Sequence, residues 1–104
     1  MNRRVVITGL GAVSGLGLNA TTFWQELIAG QSAIKPLKLP IENIKISIGA
    51  LVPEFDPERH FSSDDLTLLD RFSQLAVIAA REAICDAGLC SGEDSIRQAA
   101  AIIG

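Results

Sequence analysis

The chain has 104 residues, of which 48% are apolar and 20% charged, with a formal net charge of −3 and a pI near 5.0. That length holds one domain at most, and the acidic balance provides no clustered basic face of the kind nucleic-acid binding needs. No apolar run reaches the roughly 20 residues that span a bilayer, and the opening MNRRVVITG lacks the apolar stretch and cleavage site of a secretory signal, so the chain reads as cytoplasmic. A mean hydropathy of +0.32 is high for a small free-standing domain, which has too little interior for so much apolar surface, and the expectation is a piece of a larger body. The two cysteines are too few for a disulfide framework, and C-x4-C without a second ligand pair is not zinc spacing, so two reduced thiols are expected.

In chain order, the β-branched run Val5-Val6-Ile7-Thr8, stopped by Gly9 and Gly11, predicts a buried strand over 4–10. Thr22 stands three residues before Gln25 as in a capping box, and Phe23, Trp24, Leu27 and Ile28 have helical spacing before Gly30, which predicts a helix over 21–29. Two prolines between Lys35 and Pro40 exclude a central strand there, whereas Ile44, Ile46 and Ile48 alternate with polar or small residues and predict a half-buried strand over 44–52. Pro53 and the Phe55-Asp56-Pro57 turn end it, and a loop follows to Ser63. From Asp65 to Gly88 apolar residues recur at three and four, predicting one long helix with Asp64 and Asp65 at its N-terminal end, where the dipole favours them. Its alanine-rich second half predicts close approach by another element and a central helix buried from several sides. Ala99 to Gly104 has the composition of a buried strand. Strand, helix, strand, helix, strand points to an α/β architecture without an internal domain boundary.

The glycines admit a nucleotide reading, because a glycine-rich turn between strand and helix can aim N–H groups at a pyrophosphate. Gly9-x-Gly11 meets Ser14 where a third glycine belongs; Gly11-x-x-x-Gly15-x-Gly17 imitates a reductase loop and Gly15-x-Gly17-x-x-Ala20 the G-x-G-x-x-A form. No acidic residue closes the strand at 44–52 as a dinucleotide site requires, so tight-turn roles are the favoured reading. Cys85 falls on the expected buried side of the long helix and reads as a packed small apolar side chain, and Cys90 as a turn residue without a reactive role. His60 has no second histidine, cysteine or carboxylate cluster beside it in sequence and reads as a loop histidine. Arg81, Glu82 and Asp86 read as ion-pairing groups on a partly exposed helix face, and Asp70-Arg71 either as the same or as a buried pair at a subunit interface.

Five stretches in order, RRVVITGLGAVSGLG, FWQELIAGQSAI, FDP, LDRFSQLAVIAAREAICDAGL and AAAIIG, resemble the β-ketoacyl-acyl carrier protein synthases and cover nearly the whole chain. The resemblance implies a thiolase-like fold, two similar βα halves in an α-β-α-β-α sandwich, with residues 1–104 forming the first part of the N-terminal half. It implies decarboxylative Claisen condensation with malonyl-carrier in fatty acid or polyketide biosynthesis, through an acyl thioester on a cysteine assisted by two histidines. With one histidine in the chain, that set is not assembled here, and the resemblance places all three side chains beyond Gly104. No catalytic, cofactor-binding or metal residue is therefore assigned, and no cofactor is expected. The implied partners are an acyl carrier protein and a second synthase subunit, identical or sibling.

Two departures bear on subclass. Gly15-Leu16-Gly17 stands where many elongating members have proline before leucine-glycine, which looks closer to specialised ketosynthases such as nodulation-factor or pigment-type enzymes. The segment before the long helix, SSDDLTLLD, carries Asp64 and Asp65 where the fatty acid enzymes commonly have a basic cluster for the acidic carrier, so docking through other residues or a different carrier is expected. The alternatives are a non-catalytic partner subunit resembling a chain-length factor, a small interaction module, or a nucleotide-binding α/β domain.

Overall fold

A computed structural model describes residues 2–52, 55–90 and 102. Among these the chain is mixed helix and strand: α1 (Ala20–Ile28), a two-stranded antiparallel ribbon of β1 (Lys35–Pro36) and β2 (Ile48–Gly49), a 3₁₀ turn at Pro57–Arg59, α2 (Ser63–Leu68) and α3 (Arg71–Asp86). None of the described helices is long and apolar enough to cross a membrane.

The helix termini follow from local chemistry. Asn19, in extended backbone, caps α1 by accepting the Thr22 N–H at 2.8 Å. The expected Thr22-Gln25 box gives way to it because a residue inside the first turn cannot serve as the half-helical cap. At the other end Gly30 (φ +73) donates to the Leu27 carbonyl and Gln31 to that of Glu26. α3 closes the same way, with Gly88 (φ +76) bonded to the Cys85 carbonyl and Leu89 to Ile84. A positive φ at that position is what reverses the chain, and glycine adopts it without a Cβ penalty.

The long helix expected from Asp65 to Gly88 is two helices. Ser62 and Asp65 form a reciprocal capping box that starts α2, and Asp70 then caps α3 by accepting the Ser73 N–H at 2.8 Å. A short carboxylate that binds its own downstream backbone competes with helix continuation, which accounts for the break at Leu69-Asp70. The break is sealed by Gln74, buried at 8% exposure, whose Nε2 donates to the freed Leu69 carbonyl at 3.0 Å.

The Ser73 backbone N–H, and after it the Ser73 side chain, holds the exposed Asp70 carboxyl below its ordinary value of 3.8. A depressed folded-state value contributes stability above the unfolded-state value, lost as pH falls through the lowered one. Asp70→Asn keeps an acceptor but not the charge, so its unfolding midpoint should fall less than that of the unchanged chain between about pH 5 and pH 2, as followed by urea titration.

The strand expected over 4–10 forms no ladder among the described residues, and Val5 and Ile7 are 91% and 83% exposed. A β-branched run becomes a strand only when a neighbour takes its backbone groups. The strand expected over 44–52 is ladder-paired only at Ile48–Gly49, with Lys35 opposite Gly49 and Pro36 opposite Ile48. Proline is tolerated there because β1 is an edge. Asn43, at φ +74, helps turn the connection between the two strands, a conformation asparagine adopts more readily than most residues. The expected strand from Ala99 to Gly104 lies outside the described residues except for Ile102.

Phe61 is the buried hydrophobic residue among those described, whereas Trp24, Ile46, Leu51 and Phe72 are each more than half exposed. The radius of gyration is 16.9 Å, against roughly 13 Å for a closed domain of about 100 residues. This open arrangement agrees with the expectation that these residues belong to a larger body.

Candidate functional site

The described tertiary structure centres on α3. Ala79, Ala83 and Ala87 recur every four residues and form a stripe of small side chains against which Gly9 and Gly11 lie in backbone contact. A Cβ on Gly9 would overlap the Ala83 carbonyl oxygen, and one on Gly11 that of Ala79. The close approach expected of the alanine-rich half is thus made by the N-terminal segment, but α3 is not buried from several sides: of its residues only Gln74 is buried.

Two carboxylates one helical turn apart complete the docking. Glu82 accepts the Ala12 N–H through Oε2 and the Ala20 N–H through Oε1, both at 2.8 Å. Asp86 Oδ2 accepts the Leu10 N–H at 2.9 Å. Between Ala12 and Ala20 the chain makes a tight turn in which Ser14 and Gly17 exchange backbone hydrogen bonds of 2.8 and 3.2 Å. One carboxylate therefore holds both ends of the glycine segment, and charge-assisted bonds of this kind are about twice as strong as neutral ones. Beside it lies a cleft of about 520 Å³ lined by Leu10, Ala20, Trp24, Glu82, Cys85 and Asp86.

This arrangement revises several expectations. Glu82 and Asp86 bind backbone amides of the N-terminal segment rather than cations, and Arg81 donates from Nη1 to the His60 carbonyl at 2.7 Å with its guanidinium 5.0 Å from the Phe61 ring centre. Arg71 lies over Phe55 at 4.5 Å, and the ion pair among the described residues is Arg59 with Asp56, so Asp70 and Arg71 do not pair. The contacts of Glu82 and Asp86 span 62 to 76 residues of sequence, and no local pattern signals them.

Two of the amides at the start of α1 that a phosphate would use are already taken. The Ala20 N–H at the start of α1 meets Glu82 and the Thr22 N–H meets Asn19, so the nearest fixed charge repels an anion. His60 stacks on Phe55 with ring centres 5.7 Å apart, an exposed loop residue as expected. Among the described residues no three His, Cys, Asp or Glu side chains converge as metal ligands.

The cysteines depart most from expectation. Cys85 is exposed, not buried, because it lies two residues from both Ala83 and Ala87 and so faces away from the packed stripe. Cys85 and Cys90 are joined as a disulfide, with Cα atoms 4.8 Å apart, rather than standing as two reduced thiols. The reversal at Gly88 brings position 90 back beside the last helical turn, a proximity that residue spacing alone does not reveal.

The chain is 43% identical over 105 residues to Nodulation protein E of Rhizobium sp. (strain N33), a match covering 100% of this chain and 26% of that protein. It is 35% identical to 3-oxoacyl-acyl-carrier-protein synthase 2 of Staphylococcus aureus (strain COL), over 99% of this chain and 25% of that protein. With the protein of the same name from Coxiella burnetii (strain RSA 493 / Nine Mile phase I) it shares 39% identity, over 98% and 25%. The chain thus spans about a quarter of the length of these relatives. A family model described as Beta-ketoacyl synthase, N-terminal domain, matches residues 2–104, and the chain belongs to that family.

Proposed function

We propose that the chain is the N-terminal portion of a condensing enzyme that extends acyl chains by decarboxylative Claisen condensation with a malonyl-carrier thioester. The observation that carries this reading is the family match over residues 2–104 together with relatives named as 3-oxoacyl-acyl-carrier-protein synthases. Residues 1–104 then form one part of a thiolase-like domain without an internal boundary. Their role is to build the scaffold around α3, while the cysteine nucleophile and two histidines come from outside this segment. The protein works in the cytoplasm as a dimer, homomeric or with a sibling synthase, and takes its substrates from an acyl carrier protein.

The test is condensation by the full-length protein from acyl-carrier and malonyl-carrier, with the ketoacyl product and released carbon dioxide measured. Product formation that a thiol-alkylating inhibitor abolishes supports the reading. A protein that binds a sibling synthase yet releases no carbon dioxide alone is a chain-length-factor-like partner instead.

The subclass reading has its own support in Gly15-Leu16-Gly17 and in the identity to Nodulation protein E, which favour a specialised pathway. Asp64 and Asp65 are exposed at the start of α2 and repel an acidic carrier. Because Asp65 also completes the capping box with Ser62, the suitable variant is Asp64→Ala with Asp65→Asn. Carrier affinity measured by calorimetry should be unchanged or improved in it, and a tenfold loss would place the two aspartates in the docking site.

A further inference from the structure

We infer that Cys85 and Cys90 form a reversible thiol-disulfide clasp at the C-terminal end of α3. Both residues are exposed, so an attacking thiolate can reach the bond. The cysteines are only 5 positions apart, and a cross-link that closes so short a loop restricts the unfolded chain least, leaving exchange largely unopposed by folding.

The proximity does not depend on the sulfur bond. The hydrogen bonds from Gly88 to Cys85 and from Leu89 to Ile84, with the positive φ of Gly88, reverse the backbone through main-chain geometry alone. After reduction this turn keeps the two thiols close, so the first to form a mixed disulfide is resolved by its neighbour. In the forward direction a disulfide of the glutathione class accepts two electrons from Cys85 and Cys90. Their two thiol protons pass to the departing thiolates, which leave as two thiols as the intramolecular bond forms. Excess thiol runs the same exchange backwards.

The clasp sits where it affects packing. Asp86, adjacent to Cys85, holds the Leu10 N–H, and Cys85 and Leu10 both line the cleft beside Trp24. Closing the bond adds a covalent restraint to the final turn of α3, on which the N-terminal segment is docked; opening it removes that restraint while the main-chain turn persists.

The full-length protein is equilibrated in buffers of graded reduced-to-oxidised glutathione, quenched in acid and labelled by differential alkylation, and the peptide carrying both cysteines is weighed. The expected result is a single transition from doubly alkylated to internally cross-linked, both cysteines sharing one midpoint, with the Leu10 amide exchanging several-fold more slowly in the cross-linked form. Cys90→Ser keeps the backbone turn and is expected to carry a glutathione adduct on Cys85 under oxidising conditions. Two thiols that stay alkylatable at every ratio, a bond that survives the most reducing one, or separate adducts on the two cysteines would each overturn the inference. Equal Leu10 exchange in the two states would overturn its coupling to packing.

Discussion

Gly11→Val is expected to destabilise the folded chain by about 3 kcal/mol or more, the upper end of what overpacking costs. Even the first carbon of a side chain at this position meets the Ala79 carbonyl oxygen and comes within 2.9 Å of the Ala83 nitrogen. Those atoms belong to a helix backbone, which cannot swing aside as a flexible side chain does. The helix or the N-terminal segment must therefore retreat, and retreat breaks the bonds from Leu10 to Asp86 and from Ala12 to Glu82. Gly11→Ala should show most of the same loss, since the clash begins at Cβ. Urea unfolding of the full-length protein measures both variants, and a loss below about 1 kcal/mol for valine would mean that the segment does not lie against α3 as described.

Glu82→Ala should cost about 2 to 4 kcal/mol. Its two oxygens each accept a backbone amide at 2.8 Å, and truncation leaves both partly buried donors without an acceptor. Glu82→Gln should lie between, because one oxygen still accepts while the new amide group presents a donor to a donor. Asp86→Asn, which touches only the exposed Leu10 amide, should lose about 1 kcal/mol or less. Unfolding midpoints give the order of the three, and hydrogen exchange at Ala12 and Ala20 should accelerate together in Glu82→Ala. Acceleration at one amide alone would contradict a shared anchor.

The parts of the structure that the sequence makes legible are those governed by neighbours a few residues away. α1 stops just before Gly30 and α3 just before Gly88 because a helix reversal needs a left-handed residue, and glycine marks that need openly. The five ordered motifs likewise point to the family without reference to tertiary contacts. The break at Leu69-Asp70 is harder to read, since apolar periodicity runs through it; only the combination of Asp70 with Ser73, and of Gln74 with the exposed carbonyl, interrupts the helix. The roles of Glu82 and Asp86 were illegible for another reason: a charged residue on a helix looks solvent-facing until the segment about 70 positions earlier is folded onto it. The expected strand over 4–10 failed for the converse reason, as its composition is right for a ladder but the described residues supply no partner.

That same segment has a consequence for how the polypeptide behaves with its own copies. Val5, Val6 and Ile7 stand 91%, 59% and 83% exposed, a short β-prone surface of the kind that nucleates fibrillar stacking. Arg3 and Arg4 come immediately before it in the chain, and flanking positive charge acts as a gatekeeper against such assembly. Two like charges at the edge of so short an apolar run oppose the in-register stacking of copies that its composition favours.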